Sequence, residues 1–252
     1  MDSSTAARLL QLNREFYDRF GESFSATRRR LQPVVKKILA LIHEDDSVLD
    51  LGCGNGLFLR ELAERGHKAA LLGVDFSLSL LRQAGTTPGV IFREVDLAQL
   101  SVVSDQLSVV SDQLSVISHQ SLITDSWSLI TCFATLHHIP SHEIRLEILK
   151  TVRKLMKPNG RFILSNWQFL NSEKLRARIQ PWNRVGLSDD DVDEGDYLLD
   201  WRSGGRGLRY AHQFSAGELS GLAGQAGFKV EASFVSDGEN GRLGLYQVWA
   251  RG

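Results

Sequence analysis

Apolar residues recur along this chain in two rhythms. Between residues 6 and 42 they fall at helical spacing: Ala6, Leu9, Leu10 and Phe16 make one stripe, and Leu31, Val34, Val35, Ile38, Leu39 and Ile42 a second. Between the stripes, Gly21-Glu-Ser-Phe-Ser-Ala-Thr-Arg28 predicts a turn-rich joint, so residues 1–45 read as a helical cap. Strand-length and helix-length runs then alternate. Strands are predicted at Val48–Leu51, Ala69–Val74, Val90–Val95, Leu129–Leu136 and Phe162–Trp167. Helices are predicted at Leu57–Glu64, Leu78–Ala84 and Glu143–Met156. Gly66 and Pro158-Asn-Gly160 supply helix stops. Such alternation predicts an α/β fold, a parallel sheet with helices on both faces. Ala216–Ala226 predicts a last helix, and Lys229–Ser236 and Leu243–Ala250 a closing antiparallel pair of strands.

Two segments interrupt this order. Leu-Ser-Val-Val-Ser-Asp-Gln occurs at 100–106 and again at 107–113, with a degenerate third copy at 114–120. The segment 100–127 therefore reads as a tandem-repeat insertion tolerated at the surface. Residues 168–213 are rich in Arg, Asp and Gly without a clear period, and read as a substrate-side insertion after the fifth strand.

Composition narrows the classes. With 252 residues, 42% hydrophobic and 23% charged, the chain suits one domain with insertions. A net charge of −1 gives no long-range attraction for nucleic acid, so any such binding must be local. Two cysteines, Cys53 and Cys132, are too few for a disulfide framework and fit a reducing, cytoplasmic setting. The first 14 residues lack the pattern of a signal peptide, and no apolar run has the length of a membrane span.

The chemistry concentrates at strand ends. Ser47-Val-Leu-Asp-Leu-Gly-Cys-Gly-Asn-Gly56 is a strand, a glycine loop and a helix start. Gly52, Gly54 and Gly56 let a ligand approach the backbone closely, and the helix N-terminus offers unpaired N–H groups to an anion. Glycines alone do not decide between dinucleotides and other cofactors. Carboxylates at Asp50, Asp75 and Asp96, each ending one of three successive strands, add an acceptor for an ammonium, for ribose hydroxyls and for an adenine amino group. Leu155-Met-Lys-Pro-Asn-Gly160 then precedes the fifth strand.

Over residues 48–166 this pattern resembles the class I S-adenosylmethionine (SAM)-dependent methyltransferases. The resemblance implies a Rossmann-like, mostly parallel seven-stranded sheet and SAM as cofactor; the adjacent histidines His137 and His138 lack ligand spacing, so no metal is expected. The resemblance implies a cofactor site of Tyr17, Asp50, Gly52, Cys53, Gly54, Asn55, Gly56, Asp75, Phe76, Asp96, Leu97 and Phe133. Ser128 and Asn159 depart from the commoner residues at their positions. Phe133-Ala-Thr-Leu-His-His-Ile-Pro140 follows the fourth strand, and the resemblance puts His137 and His138 near the transferred methyl group, as groups that bind, orient or deprotonate an acceptor.

Outside the core, Phe24-Ser-Ala-Thr-Arg28, Gly195-Asp-Tyr-Leu-Leu-Asp-Trp201 and Arg209-Tyr-Ala-His-Gln-Phe214 resemble elements of the tRNA wobble-uridine carboxymethyl methyltransferases. That family esterifies 5-carboxymethyluridine, and its eukaryotic members work with a small zinc-binding activator protein. The resemblance implies Arg28 and Arg209 as holders of an acceptor carboxylate, with Trp201, Tyr210 and His212 as further substrate contacts. The alternative is a small-molecule O- or N-methyltransferase, acting for instance on a small carboxylate-bearing substrate, with residues 168–213 as a lid over its pocket.

Overall fold

The computed structural model describes residues 1–27, 30–100, 127–238 and 240–252. Helix α1 (Ser3–Ala26) is followed by α2 (Pro33–Leu39), β1 (Val48–Leu51), α3 (Leu57–Glu64), β2 (Leu71–Asp75), α4 (Leu78–Ala84) and β3 (Val90–Glu94). Next come β4 (Trp127–Phe133), α5 (His142–Leu155) and β5 (Met156–Trp167). The remainder is α6 (Glu173–Arg176), β6 (Ile179–Gln180), β7 (Asp196–Trp201), β8 (Gly207–His212), α7 (Ala216–Gln225), β9 (Phe228–Ser236) and β10 (Gly244–Arg251).

Seven strands form one sheet in the order β3-β2-β1-β4-β5-β10-β9, with β10 antiparallel between β5 and β9. This is the Rossmann-like architecture that the alternating pattern implied. Strands β1 and β2 are buried along their whole length, as parallel strands covered on both faces must be. Consequently the carboxyl ends of β1, β2 and β4 all open at one edge.

Three expectations change. The joint at Gly21 is not a turn: α1 passes straight through it. A Cβ there would stand 2.8 Å from Ser79 Oγ, so Gly21 is a close approach to α4 rather than a breaker. Strand β5 begins at Met156, before Pro158, because Trp127 and Met156 extend the pairing of β4 across an irregularity. Residues 168–213 are not irregular. They carry an antiparallel three-stranded sheet, β6-β7-β8. The repeat reading lies outside the described residues over 101–126; its flanks, Leu100 and Trp127, are both buried in the main core.

Helix α1 binds this small sheet to the large one. The buried Asn13 accepts from Tyr210 N at 2.8 Å and donates to His138 O at 2.9 Å and Tyr210 O at 3.2 Å. On the other side of β8 lies a buried charge network. Arg145 of α5 donates to Ile139 O and Tyr210 Oη, Tyr210 Oη donates to Asp196, and His212 bridges Asp196 and Glu218 at 2.6 and 2.8 Å. Buried charges stabilise only when each is paired and hydrogen-bonded, as these are.

Candidate active site

A cavity of about 640 Å³ opens at the carboxyl edge of the sheet, between β1, β2, β4 and β5 below and α1 with the β7–β8 hairpin above. Its cofactor end is built around the loops that follow β1, β2 and β3. The loop after β1 is held by Gly52 N and Cys53 N, which donate to Val74 O at 2.8 and 3.0 Å. Gly52 has φ +71°, and the Thr135 side chain fills the space a Cβ would need. Gly54 has φ +56°, and its missing Cβ faces open space, which leaves the backbone bare to a ligand.

Two buried acids face this loop. Asp75 accepts from Gly54 N at 2.9 Å and Ser77 N at 2.8 Å, yet burial raises its pKa to about 6. Asp50 accepts from Thr131 Oγ1 at 2.7 Å. Burial, with the charge of Asp75 adding to it, raises its pKa to about 7. Each acid gains from a cation or hydroxyl donor arriving in the cavity. Asp96 accepts from Ala98 N at 3.0 Å and meets the Arg14 guanidinium of α1 at 2.7 Å. Arg14 lies 5.4 Å from the centre of the Phe76 ring. Of the residues expected at the cofactor, Tyr17, Asp50, Gly52, Cys53, Gly54, Asn55, Asp75, Phe76, Asp96, Leu97 and Phe133 all wall the cavity. Gly56 lies behind them, where a Cβ would strike Phe92. The residues fit SAM: a glycine loop whose backbone is bare at Gly54, two acids for a positively charged ligand, and a third carboxylate at the β3 end.

The acceptor end draws on distant segments. His138 Nδ1 lies 3.1 Å from Tyr210 O; a carbonyl only accepts, so Nδ1 carries the proton and Nε2 accepts from Tyr17 Oη at 3.1 Å. His137 Nδ1 accepts from Trp167 N at 3.4 Å. Burial, with the charge of Arg209 adding to it, pushes the His137 pKa well below its usual value, so it is a neutral donor through Nε2. Arg209 is 3% exposed. Its guanidinium lies 4.9–5.7 Å from the rings of Trp167, Phe16, Trp201 and Phe24. Trp201 also walls the cavity.

The structure does not bring Tyr210 and His212 to the cavity. Both belong to the buried network behind β8, where their polar atoms are consumed by Arg145, Asp196 and Glu218. Arg28 lies outside the described residues, although its neighbours Thr27 and Arg30 reach the cavity wall. Sequence reasoning missed Arg14, Thr131, Asn166 and Trp167. A helical stripe and a strand run mark those positions only as structural, and none belongs to a motif.

Comparison with known proteins agrees with this geometry. Residues 23–233 match the family described as "Methyltransferase domain". The chain belongs to that family. A protein of Encephalitozoon cuniculi that bears the name methyltransferase is 29% identical over 217 residues, covering 85% of this chain and 86% of that one. Over 93 residues this chain is 38% identical to trans-aconitate 2-methyltransferase of Deinococcus radiodurans, covering 35% of this chain and 33% of that one. A SAM-dependent methyltransferase structure from Methanosarcina mazei superposes with a TM-score of 0.60 at 22% identity, covering 88% and 98%. This protein is thus a SAM-dependent methyltransferase, and SAM is its cofactor. Among the described residues no helix is long and apolar enough to cross a membrane.

Proposed function

We propose that the acceptor presents a carboxylate and leaves as its methyl ester. Arg209 carries this reading: a guanidinium set in the wall of the cofactor cavity, buried among four rings. Arginine keeps its charge at any working pH and grips a carboxylate with two parallel hydrogen bonds. A carboxylate is already a nucleophile at neutral pH, so no strong base is needed, which suits the neutral His137. SAM supplies an electrophilic methyl group on a sulfonium. The chain's own part is to bind the anion at Arg209, exclude water with Phe24, Trp167 and Trp201, and align one carboxylate oxygen with the sulfur–methyl bond. The Deinococcus relative, by its name, acts on trans-aconitate, a carboxylate.

Two carriers of that carboxylate are consistent with the site. A small acid suits the roof made by α1 and the β6–β8 sheet. The wobble 5-carboxymethyluridine of tRNA is favoured by a second groove on the far side of Trp201. That groove is lined by Arg19, Arg184, Arg202 and Arg206 against Glu15 and Asp200, with Arg202 paired to Asp200, which leaves a net excess of cations for phosphates. Mass spectrometry of total tRNA nucleosides from cells with and without the gene separates the two. Loss of the methyl ester supports tRNA, and an unchanged nucleoside profile leaves the small acid. Arg209→Gln should cut turnover about ten- to hundredfold with SAM affinity unchanged, by the scale of a charge-assisted hydrogen bond. Full turnover in that variant defeats the carboxylate reading.

A further inference from the structure

Asn166 lies near the end of β5, 1% exposed, in the wall of the cavity. Neither its Nδ2 nor its Oδ1 makes a hydrogen bond of ordinary geometry among the described residues. The amide sits close enough to His137 to favour that ring's charged form. Its polar neighbours in the wall are engaged differently. Ser165 Oγ accepts from Ala134 N, Thr135 Oγ1 donates to Phe133 O, and both nitrogens of His138 have partners. A buried amide with neither half satisfied weakens the resting fold, so a ligand that supplies the missing partners recovers what the empty site loses.

We infer that Asn166 reads the neutral part of the acceptor, as a specificity-determining residue for a molecule that carries an amide or imide beside its carboxylate. The chemistry follows from the inventory of the side chain: one carbonyl acceptor and one NH2 donor, side by side, match a group with one donor and one acceptor. Asp and Glu offer no donor, and Ser or Thr cannot span both atoms of a planar group. The amide torsion of Asn is soft, so rotation about Cβ–Cγ turns either atom toward an occupant of the cavity that the residue already walls. The charge comes from Arg209 and the donor–acceptor pair from Asn166, with the neutral His137 near both. The inference rests on the carboxylate reading, but fails separately from it.

The test uses the full chain saturated with S-adenosylhomocysteine and two acids of the same shape. Succinamate carries a carboxylate and an amide; 4-methylpentanoate replaces the amide's two polar atoms with methyl groups. Calorimetry should show succinamate binding at least about tenfold more tightly, the scale of a hydrogen-bond pair. In Asn166→Leu the preference should vanish while affinity for S-adenosylhomocysteine stays within about twofold of the wild type. The same variant, free of ligand, should melt at a higher temperature, because an unsatisfied buried amide has been replaced by an apolar group of similar size. A merely structural Asn166 predicts the opposite shift. Asn166→Asp, which keeps the acceptor half, should retain an intermediate preference. Arg209→Gln should weaken both acids equally; if it weakens neither, the carboxylate reading falls while the Asn166 preference still stands. A wild type without preference, or a preference that survives in Asn166→Leu, overturns the inference.

Discussion

The two ends of the cavity are built in opposite ways. At the cofactor end, two acids accept from backbone two residues on, Asp75 from Ser77 and Asp96 from Ala98, and only Asp50, held by Thr131, and the Arg14–Asp96 pair depend on distant side chains. At the acceptor end, the contacts join residues 121 and 197 positions apart, Tyr17 to His138 and Asn13 to Tyr210. The first end is a property of a few strand–loop junctions. The second exists only when α1, β5 and the β7–β8 hairpin have already packed. Cofactor recognition therefore leans more on local junctions than acceptor choice does, which changes with any element that shifts the roof.

The strongest way to break this comparison is at the cofactor end. Asp75→Ala removes the acid expected to accept two ribose hydroxyls and also frees Gly54 N. SAM affinity should fall about a hundredfold, the scale of roughly 3 kcal/mol. Calorimetry showing an unchanged affinity would refute the local picture.

Gly52→Ala comes next. It forces a Cβ into a left-handed backbone against Thr135. The conformation alone costs about 1–2 kcal/mol, and the collision adds to it. Melting temperature and SAM affinity should fall together; loss of affinity with an unchanged melting point would mean the loop bends without cost.

These residues were readable because their signals are local. Val48–Leu51 and Leu57–Glu64 occupy the spans that hydrophobic pattern and glycine spacing assign to them. The β6–β8 sheet was not legible. Asp196–Trp201 and Gly207–His212 are short, and their identity as strands depends on each other rather than on a period. Arg145 shows the same limit in another form. Nothing on its helix announces that it is fully buried, so Tyr210 and His212, which it satisfies, look from sequence like substrate contacts. Asn166 is invisible for a simpler reason: an orphaned amide is a fact of three-dimensional packing.

The two buried acids also tie cofactor affinity to pH. Asp75 and Asp50, with pKa values raised to about 6 and 7, hold protons that a positively charged SAM expels on binding. Affinity should rise with pH through that range, and calorimetry in buffers of different ionisation enthalpy should detect proton release. No release would mean that both acids are already ionised in the free protein.

The smallest effect belongs to the roof. Burial opposes the charged form of His212, but hydrogen bonds to Asp196 and Glu218 outweigh it and raise its pKa. A raised folded-state pKa gives stability that is complete below the unfolded value of about 6.5 and is lost as pH climbs through the folded value. Melting temperature should therefore decline above pH of about 6.5 in the wild type and lose that component in His212→Gln. An identical decline in both proteins would place the sensitivity elsewhere.

Helix α1 touches both ends of the cavity. Arg14 and Tyr17 stand at the cofactor side, and Phe16 and Phe24 frame Arg209. Arg14 and Phe24 are about 15 Å apart along the axis at 1.5 Å per residue, on one uninterrupted rod. A rod cannot lift at one end and remain seated at the other unless it bends, and Gly21 is braced against Ser79 rather than left free to hinge. A displacement at either end is therefore carried to the other, so a substitution anywhere along α1 is felt at both reactant sites.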